Sequence, residues 1–268
     1  MANSNPLKNI SILGCGWFGL AFAKKLVKLG YNVKGSTTTP EKLTSLSKEN
    51  IKPYLVNFTA NQINAETVFF DADALFICIP PKRRSVELND YLIKIQAILS
   101  AAENKAKNVI LISSTSVYGD ENKIVNEFSE TNPDTESGKV VLQAEQLIKE
   151  KHPLNFTILR FAGLIGPDRN PGRFFAGKTA VPNGLAPVNL IHQTDAVGIA
   201  LAIIQNQAFG RIYNACAPQH PDRKTFYTKA AQETGLVTPQ FLDEKNTWKV
   251  IESVNVPKFL DYAFETKI

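Results

Sequence analysis

Gly14, Gly16 and Gly19 form the run G-C-G-W-F-G, directly behind the apolar residues 9–13 and at the opening of a stretch with helical spacing. In that setting the first glycine allows a tight turn, the second lets backbone approach a pyrophosphate, and the third lets the helix lie close to the strand. The helix N-terminus then faces the phosphates, and Gly14, Cys15, Gly16, Trp17, Phe18 and Gly19 are the candidate dinucleotide contacts. The plain alternative is a turn that only packs a helix on a strand. About 20 residues beyond such a turn, an Asp or Glu ordinarily meets the free ribose 2′-hydroxyl of NAD. Here the stretch reads Lys34-Gly35-Ser36-Thr37-Thr38-Thr39, with no acid before Glu41. Hydroxyls and a lysine donate to a 2′-phosphate, so NADP(H) is preferred over NAD(H), with Ser36, Thr37 and Thr38 as its contacts. Otherwise the same hydroxyls cap a helix opening at Pro40 and Glu41.

Other residues suited to chemistry are sparse. Ile79, Pro80 and Pro81 end an apolar run at what would be the carboxyl edge of a sheet, and they complete the cofactor candidates. Lys82, Arg83 and Arg84 follow, either as a solvated charge run or as partners of an anion, with Arg83 the candidate substrate contact. Cys15, between two turn glycines, is expected to be a small filler, and a redox-sensitive thiol is the alternative. His152, His192 and His220 lack metal-ligand spacing with one another or with cysteines, and no metal site is expected.

The elements that must position these residues are legible from periodicity. Strands are expected at residues 9–13, 31–35, 54–58, 74–79, 108–113 and 156–160, alternating with helical segments, which is the pattern of a parallel sheet covered on both faces. The helix from Trp17 places Leu20, Ala23, Lys24 and Val27 on one side and stops at Gly30. A second helix runs from about Val86 to Glu103 with Ser85 as its N-cap. After residue 160 the chain turns to Gly- and Pro-rich loops and two helices near 194–205 and 223–234. The expected fold is α/β, a Rossmann-type doubly wound parallel sheet with a smaller C-terminal substrate lobe. Residues 7–165 form the dinucleotide-binding domain and 166–268 the lobe, with 189–215 returning to the first.

The 268 residues are 44% hydrophobic and 21% charged, which excludes disorder and fibrous structure. No apolar run approaches the roughly 20 residues of a membrane span, and the first residues lack a signal-peptide core. A cytoplasmic protein with its 3 cysteines reduced is expected. The net charge of +5 is dispersed, which suits a small anionic ligand better than nucleic acid. Neither a nucleic-acid nor a membrane partner is expected, and the chain is a monomer or a homodimer.

Three further motifs arrive in order: Ile112-Ser113-Ser114-Thr115-Ser116-Val117-Tyr118-Gly119, then Leu159-Arg160-Phe161 with Ile165-Gly166-Pro167, then Asn189-Leu190-Ile191-His192-Gln193-Thr194-Asp195. With the glycine turn they resemble the extended short-chain dehydrogenase/reductases, the NAD-dependent epimerase/dehydratase family. The glycine spacing departs from that family's usual G-x-x-G-x-x-G and points to an atypical branch. The resemblance implies substrates such as nucleotide sugars, a substrate-orienting hydroxyl at Ser114, and phosphate or nucleotide contacts at Arg169 and Arg173. It also implies a Tyr-x-x-x-Lys acid/base pair, which is missing: aligned on Ala144-Glu145-Gln146-Leu147, the Tyr position is Ser137 and the Lys position Val141. A serine has no pKa near neutrality and valine donates nothing. A shifted register pairs Thr135 with Lys139, no better an acid. Tyr118, His192 and Asp195 are the remaining candidates, each with a simpler reading as a strand-end aromatic, a loop histidine and a helix-start charge. Two functions stay open: an oxidoreductase or epimerase acting on a small anionic or sugar-like substrate, and a catalytically inactive NADP(H)-binding sensor or scaffold.

Overall fold

The computed structural model describes residues 7–59, 62–81, 85–151 and 156–268. Lys82, Arg83, Arg84 and His152 lie outside them, as does the side chain of Ser85. The main sheet has seven strands: β1 (Asn9–Leu13), β2 (Asn32–Thr37), β3 (Lys52–Leu55), β4 (Ala74–Ile77), β5 (Val109–Ser114), β6 (Phe156–Phe161) and β7 (Ile212–Ala215). They are all parallel, in the order β3-β2-β1-β4-β5-β6-β7. The order reverses between β1 and β4, the point at which an open α/β sheet leaves a crevice at its carboxyl edge. No described helix is long and apolar enough to cross a membrane.

Helices cover both faces because a parallel sheet has no solvated side. Ile10, Ile12, Phe76, Ile110, Leu159 and Tyr213 face α1 (Trp17–Lys28), α2 (Lys42–Lys48) and α5 (Gln193–Gln205). Leu13, Leu75, Ile77, Val109, Leu111 and Ile158 face α3 (Ser85–Ala102) and α4 (Glu136–Lys151). In α3 the buried positions are Tyr91, Ile95, Ile98, Leu99 and Ala102, at the three- and four-residue spacing expected of an amphipathic helix. In α1 the buried face is Phe18, Phe22, Ala23 and Leu26, rotated from the expected Leu20 and Val27 side, because the aromatic rings carry the larger apolar area.

Two expectations are corrected. The sixth expected strand is followed by a seventh, β7, whose Asn214 broke its apolar pattern; residues 193–215 thus supply α5, which packs on α1, and β7, which pairs with β6. The run 54–58 divides, because Lys52–Leu55 joins the sheet whereas Asn57–Thr59 turns into an antiparallel pairing with Gln62–Asn64. The smaller lobe is built from α6 (Arg223–Glu233), the one-turn helix Pro171–Arg173 packed on it, and two short parallel pairs, Gly163–Ile165 with Leu190–His192 and Lys123–Val125 with Lys249–Ile251. α7 (Asn255–Leu260) returns to β7 and α5.

A polar chain runs through the interior. Arg160 on β6 points to the α4 side, and its guanidinium donates to both carboxylate oxygens of Glu145 at 2.8 and 2.6 Å, with the two side chains 2% and 0% exposed. Glu145 also accepts from Ser113 Oγ at 2.6 Å, and Arg160 donates to the Tyr118 hydroxyl at 2.5 Å. That hydroxyl shares its proton between the Asn126 carbonyl and Asn214 Oδ1. Asn214 N–H reaches Glu127, whose carboxylate also accepts from the backbone of Val254 and Asn255. One connected network therefore fastens β5, β6, β7 and α4 to the turn ahead of α7.

Two outcomes follow from this packing. Glu145→Ala strands a buried guanidinium and is expected to cost about 3–5 kcal/mol in urea unfolding; a loss below about 1 kcal/mol would show that the network is not what holds these elements. Gly19→Ala places a Cβ 2.2 Å from the Gly14 carbonyl oxygen, so α1 must shift. It is expected to cost about 1–3 kcal/mol by the same measurement, and wild-type stability would contradict the close approach.

Candidate functional site

The glycine turn is braced from beneath. Gly14, at φ +100, donates its N–H to Ser36 Oγ at 2.9 Å, Cys15 donates its N–H to the Ser36 carbonyl at 2.8 Å, and Gly16 N–H returns to the Gly14 carbonyl. Gly16 is the N-cap of α1, carries no side-chain cap, and has open space where its Cβ would be. The first-turn N–H groups of Trp17, Phe18 and Gly19 are thus left without intrahelical acceptors at the mouth of a cleft. An uncapped N-terminus with room over its first residue fits a dinucleotide pyrophosphate.

That cleft encloses about 490 Å³. One wall is Gly16, Trp17, Phe18 and Gly19; another is Cys78, Ile79, Pro80 and Pro81, where the chain leaves β4. Its far wall is polar, with Ser113, Ser114, Ser116 and Ser137. Ser114 Oγ accepts from Ser116 N–H, holding the single turn that follows β5. Gly138 sets α4 against that turn, since a Cβ there would lie 2.5 Å from the Ser116 carbonyl oxygen. Ser137 and Val141 therefore both face the cleft from α4. That face of α4 presents a hydroxyl and an isopropyl group to the cleft, and Lys139 pairs on the exposed side with Glu136 at 2.7 Å.

Several expected site residues are committed elsewhere. Ser36 is 2% exposed and its hydroxyl bonds Gly14, so it braces the turn and is not free for a 2′-phosphate. The Lys34 ammonium is held by the carbonyls of Val68 and Asp71. Thr37 Oγ1 accepts from Thr39 N–H, and Thr38 stands exposed beside it. The Cys15 side chain packs at Gly35, away from the cleft, as a small filler would, and burial pushes its thiol up to about 12, only partly countered by its backbone bond. Tyr118 is 1% exposed and lines neither cleft, and burial raises its phenol above the usual value despite Arg160, so its place is in the scaffold and not at an acid/base position. His192 Nδ1 caps α5 by accepting from Thr194 N–H. Asp195 accepts from the Tyr262 hydroxyl and from the backbone of Glu265 and Thr266, tying down the C-terminal segment. Arg169 lines the dinucleotide cleft, whereas Arg173 is exposed beyond the lining of both clefts.

A second cleft of about 430 Å³ adjoins the first, and the two share Ser114, Ser116 and Ala162. Asp120, Asn189, Arg223 and Lys249 are among its other polar groups, and Phe174, Tyr227 and Trp248 add aromatic surface. Lys249 Nζ donates to the Tyr118 carbonyl at 2.6 Å and pairs with Asp120 at 2.9 Å. Asn189 bridges to the same segment, donating to the Lys249 carbonyl and accepting from Ile251 N–H. Sequence reasoning did not find Asn189, Arg223, Tyr227, Trp248 or Lys249 as a group. They come from three separate segments, and the one local signal was Asn189 heading the third motif.

A family model described as NAD(P)H-binding matches residues 14–201. A protein named YeeZ from Escherichia coli (strain K12) is 37% identical over 265 residues, which cover 97% of this chain and 96% of that protein. Among solved structures, the UDP-glucuronic acid 4-epimerase of Bacillus cereus, in complex with NAD, matches with a TM-score of 0.77 at 19% identity, covering 96% of this chain and 94% of that one. The UDP-N-acetylglucosamine 4-epimerase of the same organism matches with a TM-score of 0.77 at 18% identity, over 97% and 94% of the two chains. The glycine turn, the serine-lined wall and most of the sheet lie within the matched span, and the chain belongs to the NAD(P)H-binding family, on the Rossmann fold of the NAD-dependent epimerases and dehydratases.

Proposed function

We propose that the protein is an NADP(H)-dependent oxidoreductase of the epimerase/dehydratase type, acting on a small anionic or sugar-like substrate. The observation that carries this reading is the meeting of the two clefts at Ser114 and Ser116. A ligand in the second cleft and a nicotinamide in the first would face each other across those hydroxyls. The nicotinamide supplies hydride exchange when bound. The first-turn N–H groups of α1 hold the phosphates, Ile79, Pro80 and Pro81 form an apolar wall, and the Ser114 hydroxyl orients the reacting oxygen of the substrate. Lys249 and Arg223 outnumber Asp120 in the second cleft, which favours an anionic substrate.

The preference for NADP(H) rests on Thr37 and Thr38 at the end of β2 and on the lack of any acid before Glu41. With Ser36 and Lys34 committed elsewhere, the two threonines carry that reading. Ser137 and Val141 favour a second reading, in which the protein binds NADP(H) and reports it without turnover, because neither side chain exchanges a proton near neutrality.

Thermal unfolding with saturating NADPH, NADP, NADH and NAD tests the cofactor. A ligand at about 100 times its Kd adds about 2.7 kcal/mol, which raises the midpoint of a chain of this size by roughly 5–10 °C. The rise is expected with NADPH and NADP; equal rises with all four would remove the NADP preference, and no rise with any would sink both readings. Turnover is tested by nicotinamide absorbance against a panel of sugar phosphates and nucleotide sugars. Ser114→Ala is expected to lower kcat on the order of 10²-fold while leaving NADPH affinity unchanged. Unchanged kcat would remove the role of Ser114, and binding without turnover across the panel would establish the sensor.

A further inference from the structure

Trp17 follows the second glycine of the turn, a position at the mouth of the cleft where a side chain meets ligand or solvent. Its ring is instead fastened to the 166–169 loop of the smaller lobe, and its backbone to α5. The indole Nε1 donates to the Pro167 carbonyl at 2.6 Å, the Trp17 carbonyl accepts from Gln193 Nε2 at 2.9 Å, and the Arg169 guanidinium lies 4.4 Å from the ring centroid. Residues 166–169 are closed into a tight loop by reciprocal backbone bonds between Gly166 and Arg169. Trp17 and Arg169 both line the dinucleotide cleft, and Arg169 has no carboxylate partner among the described residues. A guanidinium fixed beside the positive end of α1 is unfavourable unless an anion sits between them. The cleft they share, with Gly16 opening onto it, has room for that anion.

We propose that Arg169, held over the Trp17 ring, is a binding residue for the pyrophosphate of the dinucleotide, so that the cofactor is gripped by the first turn of α1 on one side and by the smaller lobe on the other. The proposal rests on the dinucleotide reading above. It accounts for a tryptophan in the glycine turn, since a planar ring is the surface on which a guanidinium stacks while its N–H fork stays free for a diphosphate. The cofactor would then lie between α1 and a lobe loop already tied to it through Trp17 and Pro167.

Calorimetric titration with NADPH, at low and at high salt, on wild type, Arg169→Ala and Arg169→Lys tests it. At low salt Arg169→Ala is expected to bind about tenfold more weakly, with an unchanged melting temperature, and the ratio to wild type is expected to narrow as salt rises. Arg169→Lys is expected to recover only part of the loss, since an ammonium keeps the charge but not the fork. Wild-type affinity in Arg169→Ala, with NADPH binding intact, overturns this proposal alone. A loss that salt does not change marks a structural role and overturns it as well. Wild-type affinity in Arg169→Lys overturns the role of the planar fork, and a wild type that binds no dinucleotide removes this proposal together with the function it rests on.

Discussion

The Arg160 guanidinium lies inside the protein, and much of the architecture around the two clefts serves to keep it satisfied. Burial works against the charge, but the Glu145 carboxylate and the Tyr118 hydroxyl more than offset it, and Arg160 stays protonated. Satisfying one buried cation commits side chains from β5, β6, β7 and α4. Of these, the carboxyl end of β5 and the first turn of α4 supply the serine-lined wall, and β6 adds Phe161 beside it. Ser113 shows the link directly: its hydroxyl donates to Glu145 from a residue that also lines the dinucleotide cleft.

The rest of the site depends on close backbone approach. Gly19 lets α1 rest on the Gly14 carbonyl, Gly35 leaves room for the Cys15 side chain, and Gly138 brings α4 against Ser116. Each of these contacts removes a Cβ where two chain segments must nearly touch. The result is a rigid floor of turn, strand end and helix start, over which the loops of the smaller lobe are laid. Trp17 and Lys249 are the points where lobe and floor are tied, one through Pro167, the other through the Tyr118 carbonyl and Asp120.

Apolar periodicity made most of the sheet and its helices legible, because a strand buried on both faces must be apolar almost throughout and a covering helix must repeat its apolar residues every three or four positions. β7 was hidden because the Asn214 side chain is buried for its hydrogen bonds with the Tyr118 hydroxyl and the Glu252 carbonyl, which no local pattern announces. The face of α1 was misjudged because Phe18 and Phe22 outweigh Leu20 and Val27 only when the strands beneath them are in place.

The sequence by itself determined the glycine turn, the alternation of strand and helix, the serine-rich end of β5 and the absence of a Tyr-x-x-x-Lys pair, since these are matters of residue type at short spacing. Only the tertiary structure decided how Ser36, Lys34, Tyr118, His192 and Asp195 are used, because each has a hydrogen-bonding group that either a ligand or the backbone can claim, and the backbone claimed it. It alone brought Asn189, Arg223, Trp248 and Lys249 to one cleft, for their separation along the chain carries no signal that folding will bring them together.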